Sequence, residues 1–78
     1  MIEYFEFRTR AGTFRIQRDG TRWRPWFEDE MLMGAYLSPQ HALDDLAGGH
    51  TDWPSCGDPS KLKLPDEIGD WEHVKRYR

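Results

Sequence analysis

The chain has little of what marks a secreted or membrane protein. Its 78 residues include a single cysteine, Cys56, so no intramolecular disulfide can form, whereas small secreted domains usually contain several. No apolar run reaches the roughly 18 residues that a membrane-spanning helix needs, so no such helix is predicted. Residues 1–4 lack the basic and apolar segments of a signal peptide. We therefore expect a cytoplasmic protein that does not bind a membrane.

Residues able to hold a metal or to act as nucleophiles are also few. His41, His50, Cys56 and His73 have eight, five and sixteen residues between successive members, whereas structural zinc sites use closely spaced ligand pairs. Cys56 could serve as a nucleophile only with a base such as His50 within reach. A free thiol in a loop is the simpler interpretation. We therefore expect no metal, no cofactor and no enzymatic activity.

Aromatic residues and an uneven distribution of charge are what the chain does have. Four Trp, three Tyr and four Phe give a large buried area per residue, which favours a folded domain despite the short length. Residues 1–27 contain six arginines and three acidic residues, whereas residues 28–78 contain five basic and eleven acidic residues. This asymmetry bears on partners rather than on fold. The overall net charge of −3 weakens the case for strong nonspecific binding to nucleic acid.

Alternating apolar and polar residues predict antiparallel strands in the first half of the chain. Three strands are predicted at about residues 2–9, 13–18 and 21–27. Pro25 has no backbone N–H, so this part of the third strand must lie at an edge or a bulge. The apolar stretch that follows predicts a fourth short strand ending at residues 35–37.

A short helix is predicted at residues 39–47. The hydroxyl of Ser38 can cap its first turn, and Pro39 suits the first helical position because its missing N–H is not needed there. A helix of this length is not stable alone. We expect it to pack on the sheet through Leu43 and Leu46.

These elements predict a single α+β domain. Its expected architecture is a three- or four-stranded antiparallel β-meander with one short α-helix packed on one face. The meander is expected in residues 1–37, the helix in 38–49, and an extended loop, a short helical turn and a tail in 50–78. Trp53, Leu62 and Leu64 are expected to hold the loop against the body of the domain.

Two tight turns determine the predicted register of the sheet. If Ala11-Gly12 and Asp19-Gly20 are two-residue hairpin loops, three arginines lie side by side on the face opposite the core, namely Arg8, Arg15 and Arg24. Like charges directly opposite each other destabilise a sheet, so such a row indicates an anionic partner. The expected binding residues on this face are Arg8, Arg15, Arg22, Arg24 and Trp26.

Three interpretations of this arginine face are open. It is an ordinary solvated face whose arginine stems cover apolar surface, the contact surface for an acidic protein, or a nucleic-acid site. Guanidinium groups beside exposed rings such as Trp26 suit phosphates and stacked bases. Among the binding functions, we favour a non-catalytic protein-binding module with an acidic protein partner, and nucleic-acid binding is the alternative. Self-association through edge strands is also open.

Several segments of the second half resemble those of known proteins. They are Gly-Ala-Tyr-Leu-Ser-Pro at 34–39, residues 42–51, 54–55, 58–60 and 64–66, and Trp71. In these segments the chain resembles a family of short, uncharacterised bacterial proteins of unknown function. The resemblance implies a small bacterial cytoplasmic protein and assigns no activity, cofactor or catalytic residue. Three strands followed by a helix are also similar to DNA-binding domains of the integrase-arm type, which implies a DNA-reading sheet.

Overall fold

The computed structural model of the protein describes residues 2–76. The strands of this part of the chain are β1 (Ile2–Thr9), β2 (Gly12–Asp19), β3 (Arg22–Phe27), β4 (Glu30–Met31) and β5 (Glu72–Arg76). They form one antiparallel sheet in the order β4-β3-β2-β1-β5. The helix α1 spans Pro39–Ala47, and two 3₁₀ helices span Pro59–Leu62 and Ile68–Asp70. The predicted α+β class is confirmed, with one strand more than the predicted three or four.

The fourth strand does not lie where it was predicted. It is formed by Glu30–Met31, whereas Tyr36 in the predicted segment 35–37 makes an isolated bridge with Trp23 through backbone hydrogen bonds of 2.7 and 2.9 Å. Gly34 explains the difference, because its φ of 114° turns the chain before Tyr36. A Cβ atom at Gly34 would lie 2.7 Å from the Tyr36 ring, so glycine is required there.

The additional strand comes from the tail. β5 pairs antiparallel with β1, with Glu3 opposite Lys75 and Phe5 opposite His73. The sequence left residues 72–78 open between a short strand and a frayed end, and the structure shows a strand at Glu72–Arg76. The last two residues of the chain lie outside the described part.

The register of both hairpins differs from the predicted one. Thr9 pairs with Gly12 and Asp19 pairs with Arg22, so the turns are at residues 10–11 and 20–21 instead of Ala11-Gly12 and Asp19-Gly20. Every cross-strand pair is displaced by two positions. Because side chains alternate with a period of two, the predicted faces are right and the predicted neighbours are wrong.

The first hairpin shows why the turn is displaced. The Thr9 hydroxyl accepts hydrogen bonds from the N–H groups of Ala11 and Gly12, both at 3.1 Å, and donates to the Gly12 carbonyl at 2.7 Å. Gly12 is needed inside β2, since a Cβ atom there would lie 2.5 Å from Cζ of Phe27. Its φ of 149° is also unfavourable for other residues. The glycine therefore makes room for a core ring and is not part of the loop.

The helix covers one face of the sheet, which we call the inner face. It begins as predicted, with Pro39 at its start and the Ser38 hydroxyl accepting a hydrogen bond from the His41 N–H at 3.1 Å. Burying one large apolar side chain contributes roughly 1.5–3 kcal/mol. The buried apolar residues of this core are Phe14, Ile16, Phe27, Leu32, Ala42, Leu43, Leu46, Leu64 and Trp71.

The segment after the helix packs back against it. The side chain of Gln40 donates to the Asp66 carbonyl and accepts from the Ile68 N–H, both at 2.8 Å. Trp71 is buried, and its indole N–H donates to the Pro65 carbonyl at 3.1 Å. No helix of the described residues is long and apolar enough to cross a membrane.

The three residues expected to hold this segment behave differently. Leu64 is buried and Leu62 packs against the core, as predicted. Trp53 is 62% exposed, and its indole N–H donates to the Gly49 carbonyl at 3.3 Å. The prediction for Trp53 was wrong because its ring lies on the surface of the loop and not in the core.

Candidate binding face of the sheet

The side of the sheet opposite α1 carries all the predicted contact residues. Both 3₁₀ helices contact α1, so the helices of residues 2–76 lie on the inner face. We call the opposite side the outer face. Alternation and the observed register place on it Ile2, Tyr4, Glu6, Arg8, Thr13, Arg15, Gln17, Asp19, Arg22, Arg24, Trp26, Met31, Glu72, Val74 and Arg76.

The predicted row of adjacent arginines does not exist. A displacement of two residues in each hairpin separates them along the strands. The like-charge cost that first indicated an anionic partner is therefore absent. The observed opposite pairs are Arg8 with Thr13, Arg15 with Glu6 and Trp26, and Arg24 with Gln17.

Arg15 is the best-held arginine of the outer face. Its guanidinium carbon lies 5.7 Å from the centroid of the Tyr4 ring, within the range of a cation–π contact. Its Nη2 donates a hydrogen bond to the Glu28 carbonyl at 3.1 Å. Glu6 and Trp26 lie directly opposite it on the two neighbouring strands. The guanidinium therefore has a defined position in the centre of the sheet.

Two other arginines of the outer face have acidic partners. Nε of Arg24 donates to the Asp19 carboxylate at 3.0 Å. Nε of Arg8 lies 3.6 Å from the Glu6 carboxylate, and the Arg8 side chain is 82% exposed. Exposed pairs of this kind contribute roughly 0–1 kcal/mol to stability. Arg22 is exposed and has no salt bridge within the described residues.

Apolar side chains lie between these charges. Trp26 is half-buried and lies opposite both Arg15 and Met31, and Met31 is 55% exposed. Val74 lies opposite Tyr4 across the β1–β5 pair. Met31 and Val74 were not predicted here, because their place on this face depends on the β3–β4 and β1–β5 pairings. Alternation in residues 72–76 was the available signal.

A charged cluster that the sequence analysis also missed lies on the inner face. Glu3 is only 8% exposed, and its carboxylate is 3.2 Å from Nη1 of Arg18, 2.7 Å from Nε2 of His73 and 3.7 Å from Nζ of Lys75. Burial raises the pKa of Glu3, but the hydrogen bonds from His73 and Arg18 outweigh it. With the charge of Lys75 they hold the pKa below its ordinary value. The cluster joins β2, β1 and β5.

The histidines and Cys56 were the other candidates for chemistry. Within residues 2–76, no group of three or more His, Cys, Asp and Glu side chains could hold a metal ion. Cys56 is exposed, and partial burial together with the nearby Glu30 carboxylate raises the pKa of its thiol. A raised pKa keeps the thiol protonated, which is the opposite of what a nucleophile requires.

Neither a protein-family model, nor a curated protein, nor a solved structure matches the chain. The surfaces of the fold are therefore the evidence for function. The outer face is the surface that joins arginines to partly exposed rings, and it is the face on which the sequence placed its predicted contacts.

Proposed function

We propose that the protein is a non-catalytic interaction module that binds an acidic protein through the outer face. The observation that carries the proposal is the cluster of Trp26, Arg15 and Tyr4 on a face without a helix over it. Trp, Tyr and Arg are the residues that dominate the energetic centres of protein interfaces. Here they lie together at the middle of the sheet, where a partner can cover them.

The charge of the outer face supports an acidic partner. Among the described residues, this face has five arginines and three acidic residues, whereas the whole chain has a net charge of −3. Complementary charge favours encounter with an acidic surface and disfavours a basic one. The excess is small, so apolar contacts with Trp26 and Met31 must supply much of the affinity.

The internal contacts of the arginines also favour a protein partner. Arg15 is held by Tyr4 and the Glu28 carbonyl, and Arg24 is held by Asp19. Fixing such side chains before binding reduces the entropy lost on association. The contact with Asp19 leaves Arg24 less positive charge for a phosphate chain.

Nucleic-acid binding is the second candidate for this face. The observation in its favour is that Trp26 and Tyr4 are partly exposed next to Arg15, so bases could stack beside a phosphate-binding group. This candidate predicts affinity that falls steeply with salt concentration, since phosphate contacts release counterions. An acidic peptide with apolar residues should lose much less affinity.

The test is an amide chemical-shift titration of the labelled protein. The probes are an acidic peptide with interspersed Phe and Leu, short single-stranded DNA, duplex DNA and RNA, each at low and at physiological salt. Arg8→Glu combined with Arg22→Glu is the outer-face variant. Arg10→Glu combined with Lys61→Glu is the matched control, because all four residues are exposed and both variants change the charge equally.

Each outcome of the titration has a defined meaning. Peptide-induced shifts on the outer face that weaken roughly tenfold in the outer-face variant, and little in the control, support the proposal. Equal weakening in both variants means that overall charge or the opposite side of the sheet attracts the peptide, and either result overturns the proposal. Salt-sensitive shifts with nucleic acid and none with peptide promote the second candidate.

A further inference from the structure

A second basic surface lies at the hairpin end of β1, on the inner side of the sheet. There a cleft of about 500 Å³ opens between β1 and the first 3₁₀ helix. We call it the cationic cleft. It is lined by Phe7, Thr9, Arg10, Lys61, Leu62 and Lys63.

The apolar part of the cleft is firmly supported. Phe7 packs against the buried Trp71, with the ring centroids 5.6 Å apart. Leu62 packs against the core from the other side. The Thr9 hydroxyl is fully engaged in the β1–β2 turn through three hydrogen bonds. The cleft therefore offers a largely preformed apolar surface, which is typical of small-molecule sites.

The basic part of the cleft has no acidic partner among its lining residues. Within residues 2–76, Arg10, Lys61 and Lys63 form no salt bridge and no side-chain hydrogen bond. The Asp58 carboxylate accepts hydrogen bonds from the N–H and hydroxyl of Ser60. These hydrogen bonds, together with the nearby charge of Lys61, lower the pKa of Asp58. Three basic side chains thus line one cleft without a salt bridge among the described residues.

The backbone at Lys63, in the wall of this cleft, is strained. Lys63 ends the first 3₁₀ helix in the left-handed region, with φ of 54° and ψ of 47°. Lysine is an unfavourable residue for this conformation, and glycine is the usual one. Residues with strained backbone conformations are concentrated at functional sites. Here a lysine stands where glycine would be favoured, and its side chain supplies one of the three positive charges of the cleft.

We propose that the cationic cleft binds a small phosphate monoester with an aromatic or aliphatic body. The phosphate lies among Arg10, Lys61 and Lys63, and the body lies on Phe7 and Leu62. A phosphate monoester carries about −1.5 to −2 charges at neutral pH, which matches three cations better than a single carboxylate does. The volume falls within the roughly 300–1,000 Å³ of small-molecule sites. This site is separate from the outer face and does not depend on the proposed function.

The experiment is an amide chemical-shift titration with four probes at constant ionic strength. Phenyl phosphate has both parts of the expected ligand, inorganic phosphate lacks the body, benzoate has the lower charge and phenol has none. Phenyl phosphate should bind tightest, with shifts centred on residues 7–10 and 61–63. A phosphotyrosine peptide run beside phenyl phosphate distinguishes the two sources of the ligand, since tighter binding of the peptide identifies a modified protein as the source.

Charge-neutralising variants complete the test. Arg10→Gln, Lys61→Gln and Lys63→Gln should each weaken phenyl phosphate roughly 3- to 10-fold, since each removes one exposed charge-assisted contact. The matched control is Arg8→Gln, two residues from Arg10 and on the outer face, which should leave binding unchanged. Thermal unfolding of each variant checks that the fold is intact.

Two results would overturn the proposal. One is equal affinity for inorganic phosphate and phenyl phosphate together with no loss in Lys63→Gln, which means general attraction of anions. The other is a shift pattern centred on residues 15, 24 and 26, which places the anion on the outer face. Because the two surfaces lie on opposite sides of the sheet, failure here is distinguishable from failure of the acidic-peptide test.

Discussion

The outer face and the cationic cleft are both basic, but they differ in how their charges are held. On the outer face, Arg24 is paired with Asp19, and Arg15 is held by a ring and a carbonyl. In the cleft, Lys61 and Lys63 have no such partner among the described residues. A count of arginines and lysines in the sequence cannot reveal this difference. Only the register and the turns show which charges remain available to a ligand.

The largest expected effect concerns Glu3, where one buried carboxylate contacts Arg18, His73 and Lys75. Glu3→Gln leaves Arg18, His73 and Lys75 close together without a counter-charge. We expect a loss of about 2 kcal/mol in the free energy of unfolding, below the usual cost for a fully buried pair because the partners are partly exposed. Urea denaturation at neutral pH measures it. A loss under about 0.5 kcal/mol would show that the contacts of Glu3 stabilise the fold no more than exposed salt bridges do.

The pH dependence of stability tests the same group. The pKa of Glu3 is lower in the folded protein than in the unfolded chain, so its contribution is fully present above an unfolded pKa of about 4.3. It is lost as the pH falls through the folded pKa. Glu3→Gln should therefore flatten the stability profile below about pH 4.3. A variant profile parallel to that of the original protein would contradict the assignment.

The next effect separates stability from binding in the cleft. Lys63→Gly relieves the left-handed backbone and should raise the free energy of unfolding by about 1 kcal/mol, after allowing for the greater freedom of glycine in the unfolded chain. The same variant should weaken phenyl phosphate. Glu28→Gly is the control, since Glu28 also has a positive φ of 51° but its carboxylate accepts from the Thr13 N–H at 2.7 Å. If both variants gain stability equally, the hydrogen bond from the Thr13 N–H to the Glu28 carboxylate contributes nothing to the free energy of unfolding.

The smallest effect compares a paired with an unpaired cation directly. Arg24→Gln removes the 3.0 Å contact with Asp19 and should cost about 0.5 kcal/mol at low salt, decreasing as salt is added. Lys61→Gln should leave the free energy of unfolding unchanged. Urea denaturation of both variants at two salt concentrations measures the difference. Equal losses would remove the contrast between the two surfaces.

Local signals in the sequence were sufficient for α1, for β1–β3 and for the faces of these three strands. The Ser38-Pro39 start of α1 and the alternation of β1–β3 predicted the helix, three strands and the side on which Arg15 and Trp26 lie. These features depend on residues close together in the sequence, so they can be predicted from it. A displacement of two residues in each hairpin left the faces right, and this is why all five predicted contacts lie on the outer face.

Features that depend on distant contacts were not predicted. Asp19-Gly20 is a strong turn signal, yet Asp19 is the last residue of β2 and pairs with Arg22. Gly12 looks like a turn residue, but its role is to make room for Phe27, fifteen positions away. The Glu3 cluster and the cationic cleft depend on β5 and on the first 3₁₀ helix. Neither could be found before those segments were placed.

The pairing of β1 with β5 has a consequence for the order of folding. The hairpins joining β1, β2 and β3 close short loops, whereas the Glu3–His73 contact spans 70 residues and must come later. Until then one edge of β1 is open, and open edges invite pairing between molecules. Glu3 lies on this edge, paired only with Arg18 of β2 until β5 docks, and charged side chains on an open edge oppose such association. The Glu3 side chain therefore opposes intermolecular pairing early in folding and later binds β5 through His73 and Lys75.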